Sequence, residues 1–290
     1  MRPSIKNGWL FYFCNMDAIS PIGIFDSGYG GLTVLKEIVK RLPAYDYIYL
    51  GDNARTPYGT RSFETVYEYT LQCVKWLLSK NCPLIILACN TASAKTLRTI
   101  QQKDLSKYGD DKRVLGVIRP SAEILGNYTN TKEIGILGTR GTVESLSYPI
   151  EIEKFFPGVK IYQHACPLWV PLVENNEYAS AGADYFIEKD INALLNQSPA
   201  IDTILLACTH YPLLVEKIKK YLPKKIQLIS QGEIISKSLE DYLFRHKDIR
   251  EKCSKNGQLE FFTTDSTKDF DRHSAIFFGK PVSSKHVNLP

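Results

Sequence analysis

No two cysteines in this 290-residue chain form a CxxC pair, and none of its five histidines belongs to an HExxH. Zinc-ribbon, thioredoxin-type and zincin chemistry therefore have no footing in the sequence, and no metal site is expected. There is no GxxxxGKS/T phosphate loop. The glycine-rich stretch Gly28-Tyr29-Gly30-Gly31 misses the dinucleotide fingerprint because Thr33 stands where the last glycine should be. No apolar run approaches the ~20 residues of a membrane helix. Trp9–Cys14 is too short for a signal-peptide core, and no small-x-small cleavage pattern follows it. Neither membrane insertion nor export is expected. Methionine is scarce too: only Met1 and Met16 occur. Met16 falls just before the first strand-like run, so residues 1–19 read as an N-terminal extension.

What remains is the composition of a globular protein, 44% hydrophobic and 23% charged, with a length that suits two domains. The net charge of +5 is dispersed. Its densest stretches, around Lys219–Lys225 and Arg245–Lys255, read as solvated helix faces rather than a nucleic-acid surface. Seven cysteines, an odd number without regular spacing, point to reduced cytosolic thiols.

Short apolar runs alternate with longer amphipathic ones. Strands are expected at Ile22–Phe25, Tyr47–Leu50, Leu84–Leu87, Val114–Val117, Ile134–Leu137, Lys160–Gln163, Thr203–Leu206 and Gln227–Ile229. Helices are expected at Leu32–Arg41, Phe63–Lys80, Ala92–Gln102, Ser121–Leu125, Ala183–Leu195 and Leu213–Leu222. Alternation of this kind implies parallel βαβ units, whose ligands bind beyond the carboxyl ends of the strands.

The chain also echoes itself. Ile22-Gly23-Ile24 returns as Ile134-Gly135-Ile136, and Leu84–Cys89 returns as Thr203–Cys208, in the same order. Two such matches predict a duplicated α/β domain. Each echo of the second pair ends in a cysteine that opens a polar segment, Cys89-Asn90-Thr91-Ala92-Ser93 and Cys208-Thr209-His210-Tyr211-Pro212. Asn, Thr and Ser there suit helix N-caps, and Pro212 suits a first turn. The other five cysteines read as ordinary packing residues.

Two matched thiols suggest chemistry on two faces of one carbon. Inverting a stereocentre by deprotonation needs a base on one side and an acid on the other. A thiol with a pKa near 8.5 must be shifted by ~1.5 units, about 2 kcal/mol, to act as a full base at neutral pH. A helix N-terminus supplies ~0.3–1 kcal/mol of that, so a charged or hydrogen-bonding neighbour must supply the rest. His210 is a candidate beside Cys208. Asp26 could take a proton from Cys89. A thiol hydrolase would leave the second cysteine unexplained, and a catalytically silent binding protein would leave both thiols and both helpers unexplained.

With its motifs in this order, the chain resembles the bacterial glutamate racemases of the aspartate/glutamate racemase superfamily. The resemblance rests on Gly23–Val34, Gly51–Gly59, Ala88–Ser93, Leu137–Thr142 and Ala207–Pro212. It implies two similar α/β domains with mostly parallel sheets, related by a pseudo-twofold axis, with the active site in the cleft between them. It places 20–112 and 227–280 in one domain, 113–226 in the other, and 281–290 in a C-terminal tail. It implies Cys89 and Cys208 as the acid/base pair, Asp26 and His210 as helpers and Glu174 as a further polar contributor. Substrate contacts are implied from Asp26, Ser27, Pro57, Tyr58, Gly59, Asn90, Thr91, Thr139, Thr142, Thr209 and His210. It further implies L- and D-glutamate as substrates, no cofactor, a bacterial cytosolic homodimer and a product used in peptidoglycan. A sister racemase acting on aspartate stays open at this point. Arg119 in Gly116-Val117-Ile118-Arg119-Pro120 departs from the pattern expected there.

Overall fold

A computed structural model describes residues 20–289. The N-terminal extension, with Trp9–Cys14 and Met16, lies outside the described residues. Ten strands, β1 (Ile22–Asp26), β2 (Tyr47–Gly51), β3 (Leu84–Leu87), β4 (Arg113–Gly116), β5 (Glu133–Gly138), β6 (Lys160–Ala165), β7 (Thr203–Ala207), β8 (Gln227–Ile229), β9 (Leu259–Thr263) and β10 (Ser284–His286), form two sheets. Every pairing is parallel.

The strand orders are β10-β9-β2-β1-β3-β4 and β6-β5-β7-β8. The core order β2-β1-β3-β4 of the first sheet is thus repeated by the second, and the echo read in the sequence is a repeat of topology. Its glycines have one cause in both halves. A Cβ on Gly23 would press on Leu77 and Ile85 at 3.3 Å, and one on Gly135 would meet Leu194 at 2.7 Å and Ile204 at 3.2 Å. In each half a helix side chain lies close over the first strand, tight at Gly23 and too close for a Cβ at Gly135.

β1, β2, β3 and β7 are buried along their whole length, as expected of strands with helices on both faces. The helix Leu32–Arg41 buries Leu32, Val34, Leu35 and Ile38, each contributing roughly 1.5–3 kcal/mol. Its last turn carries Lys40 and Arg41, where cations favour the helix dipole. Ser62 caps the helix Phe63–Ser79 by accepting the Thr65 N–H at 3.2 Å.

Several boundaries differ from the sequence reading. Val117 is not in β4; it precedes a helix that runs Ile118–Leu125, three residues earlier than expected. Pro120 is harmless in its first turn, where no intrahelical N–H bond is lost. The helix expected from Ala92 starts at Asn90, so Cys89 itself is the cap residue. No helix starts directly after Cys208: a 3₁₀ turn, Tyr211–Leu214, intervenes before the helix Val215–Tyr221. Two strands were missed, β9 and β10. Ser284–His286 falls in the segment expected to be a tail, yet it adds a parallel edge strand to the first sheet. The chain crosses between sheets at Val117–Leu125 and returns at Gln231–Arg245, a helix that docks on Leu32–Arg41 with Arg41 Nε donating to Ser236 Oγ at 3.1 Å.

Candidate active site

In each sheet the chain leaves the first strand toward one side and returns to the other, so the neighbours β1 and β3, and β5 and β7, flank a topological switch point. Ligands of open α/β sheets bind there. Asp26 closes β1 and Cys89 follows β3; Thr139 follows β5 and Cys208 follows β7. The loops after these strands converge on one cavity.

Of the residues expected at the site, Ser27, Pro57, Tyr58, Gly59, Cys89, Asn90, Thr91, Thr139, Cys208, Thr209 and His210 line this cavity. Asp26, Thr142 and Glu174 sit one layer behind. Asp26 is fully buried under the Gly28 turn, where its Oδ1 accepts the Gly28 N–H at 2.9 Å and its Oδ2 the Thr209 hydroxyl at 3.2 Å. Thr142 hydrogen-bonds Thr139, whose hydroxyl lies 2.8 Å from that of Thr91. Glu174 reaches His210, with Oε1 at 3.0 Å from Nε2.

The two sulfurs enter from different lobes with different surroundings. Cys89 Sγ donates to Ser27 Oγ at 3.5 Å. Burial and the nearby Asp26 carboxylate push its thiol up to about 12, so it holds its proton at neutral pH. Cys208 Sγ lies 4.0 Å from His210 Nδ1. Burial opposes charge on His210. Its bonds to Cys208 and Glu174, together with their negative charge, outweigh that and lift it to about 10. A cation therefore stands beside Cys208 and an anion beside Cys89. Burial also raises Asp26, against the lowering effects of His210 and its donors.

The lobes interlock around the cavity. Thr33 Oγ1 donates to the Thr209 carbonyl at 3.0 Å, and the Gly141 N–H donates to the Gly59 carbonyl at 2.9 Å. Tyr58 OH donates to Asp52 Oδ2, which also takes the Arg55 Nε–H at 2.7 Å, so a buried carboxylate holds the Pro57-Tyr58-Gly59 loop.

Some members were not foreseen. Thr56, Arg140, Cys166, Pro167, Val170 and Pro171 also line the cavity. Cys166, read as a packing residue, follows β6 as Asp52 follows β2, so the repeat itself was a signal for it. Cys166 also belongs to the one His/Cys/Asp group among the described residues whose ligand atoms fall within 4.8 Å of one another, with His164 and Asp190. His164 Nε2 and Asp190 Oδ1 already satisfy each other at 3.1 Å. Arg119 points away from the cavity. It is exposed, paired with Glu123 at 2.9 Å and stacked near Phe155.

Two duplicated α/β lobes with a thiol after the third strand of each define a pseudo-symmetric α/β enzyme built for chemistry between its halves. Residues 22–238 match the family model described as Asp/Glu/Hydantoin racemase, and the chain belongs to that family. The glutamate racemase of Streptococcus suis is 37% identical over 93% of this chain and 98% of its own length. That of Bacillus cereus is 38% identical over 92% and 97%. Among solved structures, a glutamate racemase isoform from Bacillus anthracis superposes with a TM-score of 0.85 at 36% identity, covering 94% of this chain and 99% of its own. The Francisella tularensis glutamate racemase in complex with D-glutamate gives 0.82 at 30% identity, covering 93% and 98%.

Proposed function

We propose that this chain is a glutamate racemase, an isomerase that interconverts L- and D-glutamate with two cysteines as the acid/base pair and no cofactor. The observation that carries the reading is the pair of thiols at equivalent strand ends of the two lobes, opening on one cavity. A thiolate at one sulfur takes the α-proton. The thiol at the other donates a proton to the opposite face of the carbanion. The sulfurs end with exchanged protonation states, ready for the reverse reaction. Cys89 begins as the thiol. The His210 imidazolium offsets negative charge on Cys208, and Glu174 holds the imidazole in place. Positioned acids and bases of this kind contribute typically 10²–10⁴-fold each.

Asp26 suits the α-ammonium of the substrate, whose positive charge offsets the anion that keeps Cys89 protonated. The Ser27, Thr91, Thr139 and Thr209 hydroxyls, the Asn90 amide and the Pro57-Tyr58-Gly59 loop suit its carboxylates, with Thr142 bracing Thr139. Relatives named as glutamate racemases, at 37–38% identity over nearly their whole length, support glutamate over aspartate. In this reading the enzyme is a cytosolic bacterial homodimer supplying D-glutamate for peptidoglycan, with no nucleic-acid or membrane partner. No helix among the described residues is long and apolar enough to cross a membrane. The lobe boundaries fall at the two crossings rather than at 112 and 227: β4 (Arg113–Gly116) belongs with the first lobe and β8 (Gln227–Ile229) with the second, and β10 carries the first lobe through His286.

The test is racemisation of L-glutamate in deuterated water by the purified chain with a chelator present. Loss of optical rotation with deuterium appearing at Cα is expected. Unchanged L-glutamate, or racemisation of aspartate in its place, would sink the assignment.

A further inference from the structure

Asn90 follows Cys89 directly and lines the cavity, yet most of its amide is already in use. Its Oδ1 accepts the Tyr148 hydroxyl at 2.6 Å, and its Nδ2 donates to Gln231 Oε1 at 2.7 Å. Gln231 Nε2 in turn donates to Tyr148 OH at 2.7 Å and to Ser121 Oγ at 2.8 Å. Every member is buried. Burial also keeps the Tyr148 hydroxyl protonated, and therefore a donor.

The ring has one direction only. Gln231 Nε2 also faces the Val117 carbonyl at 3.4 Å, which can only accept, and Ser121 spends its own hydrogen on that carbonyl at 3.1 Å, so the nitrogen must lie on this side and Oε1 is left for Asn90 Nδ2. Tyr148 spends its single hydrogen on Asn90 Oδ1. Turning the Asn90 amide over would set N–H against O–H and oxygen against oxygen among buried groups, where each lost hydrogen bond is costly. One Nδ2 hydrogen of Asn90 remains outside the ring.

We propose that Tyr148 and Gln231 are positioning residues for the racemase reaction, fixing the Asn90 amide so that its remaining N–H faces bound glutamate beside Cys89. The proposal rests on the racemase reading above. The location gives the pair a second consequence. Ser121 sits on the helix where the chain first leaves the first lobe, and Gln231 opens the helix that brings it back. The ring therefore ties the residue next to Cys89 to both crossings between lobes, so the lobe arrangement and the Asn90 orientation are set together.

The experiment is a double-mutant cycle on steady-state racemisation with Tyr148→Phe, Asn90→Ala and the double variant, and thermal melting on each. Tyr148→Phe removes one hydroxyl and little volume. It is expected to lower kcat/KM about tenfold, mostly through KM. The loss is equal for both enantiomers because their free energies are equal. In the Asn90→Ala background the same change is expected to have no further effect on kcat/KM, although its cost in melting temperature persists. Gln231→Met is expected to follow the Tyr148 pattern; if it fails to fold, the Tyr148 cycle decides alone. Wild-type kcat/KM in Tyr148→Phe, or losses that multiply fully in the double variant, would overturn the proposal. Inactivity of the wild-type chain on both enantiomers is a distinct result and counts against the racemase reading beneath it.

Discussion

A single methyl group at Gly30 tests whether the closeness of the lobes is what makes the site. A Cβ built there would lie 2.3 Å from Thr209 Oγ1 and 2.5 and 2.7 Å from His210 Nδ1 and Cε1, where ordinary contact begins near 3.4 Å. The backbone at Gly30 does not need a left-handed conformation, so Gly30→Ala strains packing, not φ. About 1 Å must be found somewhere. The strand ends below are packed and cannot give. Either the Gly30 loop lifts with its lobe, which widens the cavity, or the His210 ring swings away from Cys208 Sγ at 4.0 Å and Glu174 Oε1 at 3.0 Å. Both outcomes disturb a reacting geometry for which a 1 Å error costs about 100-fold. The stability cost of such overpacking is about 1–3 kcal/mol, which a domain of this size survives. The expectation is a folded variant with kcat down roughly 100-fold, measured by the decay of circular dichroism of L-glutamate, with far-ultraviolet spectra and melting curves as the check on folding. A folded Gly30→Ala enzyme with near-normal turnover would refute the argument that the glycine keeps His210 and Cys208 in register.

Four further outcomes follow from the same geometry. Cys89→Ala and Cys208→Ala should each abolish racemisation while keeping the fold; substantial turnover by either rules out the two-thiol scheme. Cys→Ser at either position should slow both directions greatly, since a hydroxyl is a far weaker acid than a thiol, and wild-type rates there would be incompatible with thiol proton transfer. His210 is lifted from 6.5 to about 10, so the stability it contributes is complete below about 6.5 and is lost as pH rises through about 10. The melting temperature of the wild type should fall across that window, and His210→Gln should flatten the fall; identical slopes would show that the imidazole is not held charged. Tyr58→Phe removes the hydroxyl that Asp52 holds, and KM for glutamate should rise by about tenfold or more, the equivalent of a hydrogen bond to a carboxylate at ~1.5–3 kcal/mol; an unchanged KM would free the Pro57-Tyr58-Gly59 loop from that role.

The strands of both lobes were legible because burial on two faces forces continuous apolar runs: Leu84–Leu87 and Thr203–Leu206 needed no context. β9 and β10 were not. Leu259-Glu260-Phe261-Phe262-Thr263 mixes a charge into its run, and Ser284-Lys285-His286 carries no apolar residue at all; β10 exists because β9 offers it an open edge. The cysteines stood out because they closed matched runs. Helix starts were harder, since propensity said nothing about Cys89 acting as a cap residue or about a 3₁₀ turn after His210. Tyr148 and Gln231 were invisible because nothing in their local sequence marks them. Their partners lie at separations of 58 and 141 residues, and only the fold brings them to Asn90.

Duplication explains the paired sulfurs, but a racemase needs them unequal at the start of each turnover. Two identical sites would share one protonation state, and neither a pair of thiols nor a pair of thiolates can pass a proton across a carbon. The repeat departs from symmetry where this matters. Cys89 caps a helix and would gain from its dipole, yet buried Asp26 and desolvation more than cancel that gain and keep the proton on sulfur. Cys208 has no helix starting on it, and the cation comes from His210 instead, held by Glu174 from a different element of the same lobe. The helix N-terminus thus serves the sulfur beside the anion, and the imidazolium serves the sulfur without a helix. Reversal then needs only one change, an ammonium group arriving at Asp26 to remove the penalty on the Cys89 thiolate. The substrate itself then completes the symmetry that the protein alone lacks, and an analogue without the amino group should bind without exchanging its α-hydrogen at Cys89. Exchange of that hydrogen for deuterium in such an analogue at the rate seen with glutamate would mean that Cys89 is activated by the protein alone.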